Sequence, residues 1–338
     1  MTTDRTTNEE RIAHGIGASG SLTVRVASWD IELVGVAGDE VRVRNADGGP
    51  LPRDIEVDRG PDSLRIGQPS RLGGPGLGII LGSGRRDARL AIDVPVEARI
   101  DVQSASGDVT ATGLRNDQQY RTASGDVAVR ETAGQLTTET VSGTVEVRIA
   151  GTLRLSVRSV SGDVSVEGGV AEQVGLTTTS GDLRIASELG PGPHAIQTLS
   201  GDALIASGRG VRVTAQTISG DIGSDLPHSS QGGPGRRSVV IGDGSIEVRF
   251  KSVSGDLRVV GAGSGDWSVG GEPPEPPEPP EPPIGPRSVG AADDTGEGAD
   301  AEDVEAARLA ILRQLEQGEI DIAEATDRLA RLDEPSDD

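Results

Sequence analysis

Residues 103–111, QSASGDVTA, return as RTASGDVAV at 121–129, RSVSGDVSV at 158–166, QTLSGDALI at 197–205 and KSVSGDLRV at 251–259. Counting every copy, Ser-Gly-Asp begins at Ser106, Ser124, Ser161, Ser180, Ser200, Ser219 and Ser254, and Ser-Gly-Thr at Ser142. Successive gaps are 18, 18, 19, 19, 20, 19 and 35 residues. A motif held at this period is the signature of stacked repeats.

The flanks repeat with it. Directly after the turn stand Val109, Val127, Val145, Val164, Leu183, Ala203, Ile222 and Leu257, and two residues further on all positions but Ser224 are apolar. Two before each motif serine stands a Ser or Thr, and four before it a mostly apolar residue such as Val102, Tyr120, Val157, Leu176 or Phe250. This period-2 alternation marks one face of a strand on each side of the turn. Each unit therefore reads as strand, Ser-Gly-Asp turn, strand and a looser return. One unit cannot bury its apolar face alone, but stacked units can. Eight coils at about 4.8 Å each make a rod roughly 40 Å long.

Outward from the repeats, the alternating runs LTVRVA, WDIELVGV, EVRVRN, DIEVD and SLRIG within residues 21–67 predict further strands. The segment LPHSSQGGPGRR (226–237) accounts for the 35-residue gap and reads as an inserted loop. Residues 71–86, RLGGPGLGIILGSGRR, read as a Gly-rich loop whose Leu77, Ile79, Ile80 and Leu81 either join the sheet or touch a partner or membrane surface. EPPEPPEPPEPP (272–283) is a polyproline II spacer. In the tail, Ile311, Leu312 and Leu315, then Ile322, Leu329 and Leu332, recur at helical spacing on either side of Gly318.

The expected fold is an all-β, β-solenoid (β-helix-like) domain with coils of about 19 residues over 19–271. A disordered N-terminus (1–18) precedes it. A disordered Pro-rich and acidic linker (272–302) and a small αα-hairpin (303–334) follow.

Composition narrows the function. The 338 residues carry a formal charge of −22, of which −15 (20 acidic, 5 basic) lies in 272–338, leaving −22 + 15 = −7 on the body. Acidity and only four aromatic residues (Trp29, Trp267, Tyr120, Phe250) disfavour nucleic acid, which is held by cationic grooves and stacking rings. Without cysteine there are no disulfides, thiolate metal sites or cysteine nucleophiles. The polar first residues argue against a secretory signal, and no apolar run is long enough to span a membrane. The expectation is a cytoplasmic protein, membrane-peripheral only through a partner.

Asp108, Asp126, Asp163, Asp182, Asp202, Asp221 and Asp256 form the sharpest candidate set. Calcium between coils is one reading. The favoured one is a turn in which Gly takes positive φ and Asp accepts a local backbone N–H, because Thr144 replaces Asp once. The Ser/Thr positions before the turn are expected to form a hydroxyl ladder. His14, His194 and His228 read as surface loop residues, and no G-x-S-x-G elbow or phosphate loop exists. No catalytic residue, metal or cofactor is assigned.

The repeats, with LAIDVPVEARIDV before them, resemble the bacterial toast-rack, adhesin-like β-repeat proteins, a family of largely unknown function. RLAILRQLEQGEIDIAEATDRLARL resembles the helical hairpin attached to such domains in envelope-stress proteins of the LiaX/YvlB type, although here it lies C-terminal. The resemblance implies a β-solenoid-like fold, no known catalysis, and links to envelope stress or surface recognition. The leading expectation is a non-catalytic interaction scaffold that binds a protein partner, or its own copies, through the tail or the solenoid ends. The alternatives are a carbohydrate-active β-helix enzyme and an end-to-end assembly unit.

Overall fold

The computed structural model describes residues 3–4, 11–68, 88–208, 210–233 and 236–262, all within a unit spanning Met1–Val269. The apolar candidates of the Gly-rich loop (Leu77, Ile79, Ile80, Leu81), the linker and the tail hairpin with its candidates lie outside the described residues.

Every described element is a strand, and twenty-three strands are hydrogen-bonded into one continuous sheet. The repeats stack in parallel. Val127 pairs with Val145, Val145 with Val164, and Val164 with Leu183. On the limb before the turn, Tyr120 pairs with Thr138, Thr138 with Val157, Val157 with Leu176, and Leu176 with Ile196. Parallel neighbours need a crossover, and here the coil itself supplies it in place of a helix. The inward side chains of both limbs share one core, in which Val102, Tyr120, Val129, Val147, Val166, Leu176, Ile205 and Phe250 are all buried. Valine and isoleucine suit this file because a branched side chain packs well on a pleated surface. The inward Tyr120 hydroxyl donates to Gln118 Oε1 (3.1 Å) and Gln118 Nε2 donates to Thr132 Oγ1 (2.8 Å), so these three buried polar side chains satisfy one another.

The order of coils in space is not the order in the chain. The strand Leu257–Gly261 lies between Ala203–Ser207 and Ile222–Ser224, with Leu257 pairing to both Ala203 and Ile222. On the other limb Phe250 pairs with both Ile196 and Ala215. The chain thus leaves the coil at 194–207, skips one slot to build 211–224, turns through a hairpin and returns to fill the slot with 246–261. The expected loop at 226–237 is that hairpin: His228–Gly233 pairs antiparallel with Arg236–Ile241, which in turn pairs with Val211–Gln216. Its outer strand, HSSQGG, is exposed throughout and closes this end with a short, polar, Gly-containing edge.

A similar insertion occurs at the N-terminal end. Leu22 pairs with Ile100 on one side and Leu64 on the other, and Leu33 pairs with Ala111 and Ile92. The coil at 21–36 is therefore an interior member of the stack. The sequence reading places residues 1–18 in a disordered segment. Instead Arg11–Gly15 is a strand paired antiparallel with Glu40–Asn45, because Ile12 and Ile16 each bury to 1% exposure.

Candidate functional site: the Ser-Gly-Asp ridge

The corners of nine coils superpose in the spatial order Asp30, Asp108, Asp126, Thr144, Asp163, Asp182, Asp202, Asp256, Asp221. Each carboxylate but that of the terminal Asp221 reaches the next coil rather than its own turn. The N–H of Asp108 donates to Asp30 Oδ1 (3.1 Å), that of Asp126 to Asp108 Oδ1 (2.9 Å), and that of Thr144 to Asp126 Oδ1 (2.7 Å). Beyond Thr144, which has no carboxylate to offer, the ladder resumes. Asp182 donates to Asp163 (2.8 Å), Asp202 to Asp182 (2.9 Å), Asp256 to Asp202 (2.8 Å) and Asp221 to Asp256 (2.7 Å). This corrects the local-turn reading of Asp: the side chain is a bond between coils. Asp30 was missed because Trp29 fills the glycine position of its Ser-Trp-Asp corner; the Ser-x-Asp spacing was the available signal.

The glycine has a packing reason. A Cβ on Gly162, Gly181 or Gly201 would press into the carbonyl oxygen of the glycine one coil away, and all three have positive φ (131°, 124° and 127°). The Ser/Thr hydroxyls do not form a ladder. Six of the eight bond their own turn: Thr122 Oγ1, for one, accepts from the Gly125 N–H (2.9 Å), whereas Thr178 and Thr198 donate to the carbonyls of Ser180 (3.0 Å) and Ser200 (3.1 Å); the buried hydroxyls of Ser159 and Ser252 do not.

Alternation around the corner sends the residue just before each motif serine outward. This file runs, in spatial order, Ala105, Ala123, Val141, Val160, Thr179, Leu199, Val253, Ile218. Val141 (54% exposed), Val160 (49%), Leu199 (50%), Val253 (41%) and Ile218 (82%) are the exposed large hydrophobics among the described residues. Sequence reading passed them over because apolar residues in a strand look like core. Their odd spacing from the inward Ser/Thr and aliphatic positions was the signal that they face out. The ridge thus carries two parallel files, one apolar and one acidic, three residues apart in the chain.

The acidic file is not arranged as a metal centre. Neighbouring carboxylates are at least one coil apart, and one oxygen of each but Asp221 is engaged by the next coil. Among the described residues no cluster of three or more His, Asp or Glu could hold a metal ion. The histidines do not assemble a catalytic group either. His14 Nε2 lies 2.7 Å from the Gly60 carbonyl, His194 Nε2 2.9 Å from that of Gly190, and His228 Nδ1 2.9 Å from that of Leu226. His194 departs from the surface-loop expectation: it is an inward strand residue, stacked between Val174 and Val248 and 2% exposed. Burial holds its pKa below the ordinary 6.5, against an opposing pull from the Gly190 carbonyl. Burial also pushes the Tyr120 hydroxyl far above its ordinary range.

A parallel solenoid whose coils lock through a repeated Ser-Gly-Asp corner defines the structural class of this protein. The chain belongs to the Toastrack DUF4097 family, whose model matches residues 19–260 and so brackets all nine coils. No curated protein matches it. Among solved structures it is similar to a "putative adhesin" from Bacteroides fragilis NCTC 9343, at 12% identity over 74% of this chain and 97% of that one, with a TM-score of 0.39. It is also similar to a "putative cell adhesion protein" from Clostridium sporogenes ATCC 15579 (9%; 75% and 100%; TM-score 0.24). A third is a "putative adhesin" from Parabacteroides merdae ATCC 43184 (11%; 75% and 96%; TM-score 0.22). Likenesses at these TM-scores carry no argument about function. No described helix is long and apolar enough to cross a membrane.

Proposed function

We propose that this protein is a non-catalytic, adhesin-like scaffold that binds a protein partner along the Ser-Gly-Asp ridge. The observation that supports it is the file of Val141, Val160, Leu199, Val253 and Ile218, which are the exposed large hydrophobic side chains among the described residues. Strand alternation would equally allow polar residues there, and contiguous exposed apolar surface is a mark of an interaction site. The tail hairpin is a second attachment point in this reading, and its resemblance to envelope-stress proteins supports a role in that response. The absence of cysteine favours the cytoplasm, with membrane contact only through the partner.

The test compares three proteins as bait: the full chain, the chain ending at residue 262, and the full chain with Leu199→Asp and Ile218→Asp. Both substituted residues are exposed, so folding should be unchanged, as circular dichroism and melting would verify. Capture of the same partner by the first two and its loss from the third is expected. Capture that survives the two substitutions but needs the tail would move the binding surface to 303–334.

A further inference from the structure

Resting on that reading of the ridge, we propose that its partner is a basic amphipathic α-helix, lying along the rod axis with its apolar stripe on the aliphatic file and its Lys/Arg flank on the carboxylate file. Three observations lead there. The first is charge. Asp163, Asp182, Asp202 and Asp256 each commit Oδ1 to the next coil, and no other described residue bonds their Oδ2 atoms. Asp221, at the end of the ladder, accepts no such bond, because the coil at 211–224 has no further corner beyond it. A row of like charges at about 4.8 Å spacing calls for a cationic counterpart.

The second observation is periodicity. From Val141 to Ile218 the file advances five coil steps, about 24 Å at the spacing of paired strands. An α-helix presents about one stripe residue per 5.4 Å turn, so it drifts only ~0.6 Å per coil and covers the file with roughly 16 residues. An extended strand along the same axis repeats a face every ~6.7 Å and loses step within two coils.

The third is the exclusion of the nearest competitors. A second copy would set this acidic ridge against its own like. The tail segment 303–334 carries nine acidic and four basic residues, a net of −5, so it too is repelled. Arg and Lys flanking an apolar stripe meet both files at once.

The test uses an 18-residue fluorescent peptide with Leu at one position per helical turn and Arg along one flank, titrated into the full chain by anisotropy. Controls are its Arg→Glu form, a form with a central proline, and vesicles of anionic lipid. The basic helix should bind and the Glu and proline forms should bind at least tenfold more weakly. Asp202→Asn with Asp256→Asn should weaken binding and flatten its salt dependence, and Leu199→Asp with Ile218→Asp should weaken it at least tenfold. Equal binding of the proline form, or no preference for the basic over the Glu form, would overturn the helix proposal. A photo-crosslinker at Ile218 in cells separates the two levels of failure. A crosslinked partner segment that is acidic, extended or from a second copy refutes the basic helix while leaving the ridge a binding surface. No crosslinked protein at all refutes the ridge, and the helix with it.

Discussion

Replacing Gly181 by alanine should disrupt the stack, whereas the same change at Gly223, forty-two residues on, should not. At Gly181 two effects add. Its φ of 124° belongs to a region that non-glycine residues rarely enter, which costs about 1–3 kcal/mol. The new methyl would also collide with the backbone carbonyl of Gly162. Because that neighbour is backbone, relief requires the two coils to part at the corner, which stretches the Asp182–Asp163 bond between them. Loss of one charge-assisted hydrogen bond contributes about 1.5–3 kcal/mol at most, and less here because the corner is exposed. Together these put Gly181→Ala at ~3–5 kcal/mol. For a domain of this size that is a melting temperature lower by roughly 6–20 °C. At Gly223 φ is not positive and a Cβ meets nothing within 4 Å, so alanine should be neutral or stabilising by about 0.4–1 kcal/mol through the unfolded chain. Thermal melts of the wild type and both variants, followed by circular dichroism, measure this directly. Equal shifts for the two variants would refute the argument that the motif glycine is required by coil-to-coil contact.

Three further outcomes follow from the buried and bridging groups. Tyr120 is the single tyrosine and its hydroxyl is buried, so the neutral form is favoured by the fold; stability should be intact below pH 10 and fall above it. Its phenolate absorbance should therefore rise only together with alkaline unfolding, and a separate titration near pH 10 would contradict this. His194 is held below its ordinary 6.5 by burial, so the fold favours the neutral ring; that contribution is present above pH 6.5 and lost as the pH drops below it. His194→Val should make the melting temperature less dependent on pH between 7 and 5, and an unchanged slope would show that the ring does not report burial. Because the aspartates bond backbone N–H groups of the next coil and the described residues hold no cluster of three acids fit for a metal ion, EDTA should leave the melting temperature unchanged, while Asp182→Ala should lower stability by about 1–2 kcal/mol. A drop of several degrees in EDTA would reinstate calcium between the coils.

Sequence by itself determined the coil. The Ser-Gly-Asp corner, the inward files on both limbs and the strands between 21 and 67 were legible because each is set locally: alternation fixes a face, and glycine with a short polar neighbour fixes a corner. The candidate ridge was half legible. The aspartates stood out as a series, but their acceptor role was assigned to the wrong coil, because a side chain's partner one coil away is not encoded in its neighbours. The outward valines and leucine were obscured by their own hydrophobicity. What only the tertiary structure decided was the order of stacking: that Leu257 lies between Ala203 and Ile222, that the coil at 21–36 is interior, and that 226–237 closes an end as a hairpin. Strand edges bond through backbone N–H and C=O groups that are the same for every residue. Which edges meet is therefore chosen by the chain's reach and by the need to leave no long edge open, and neither is written in any single stretch of sequence.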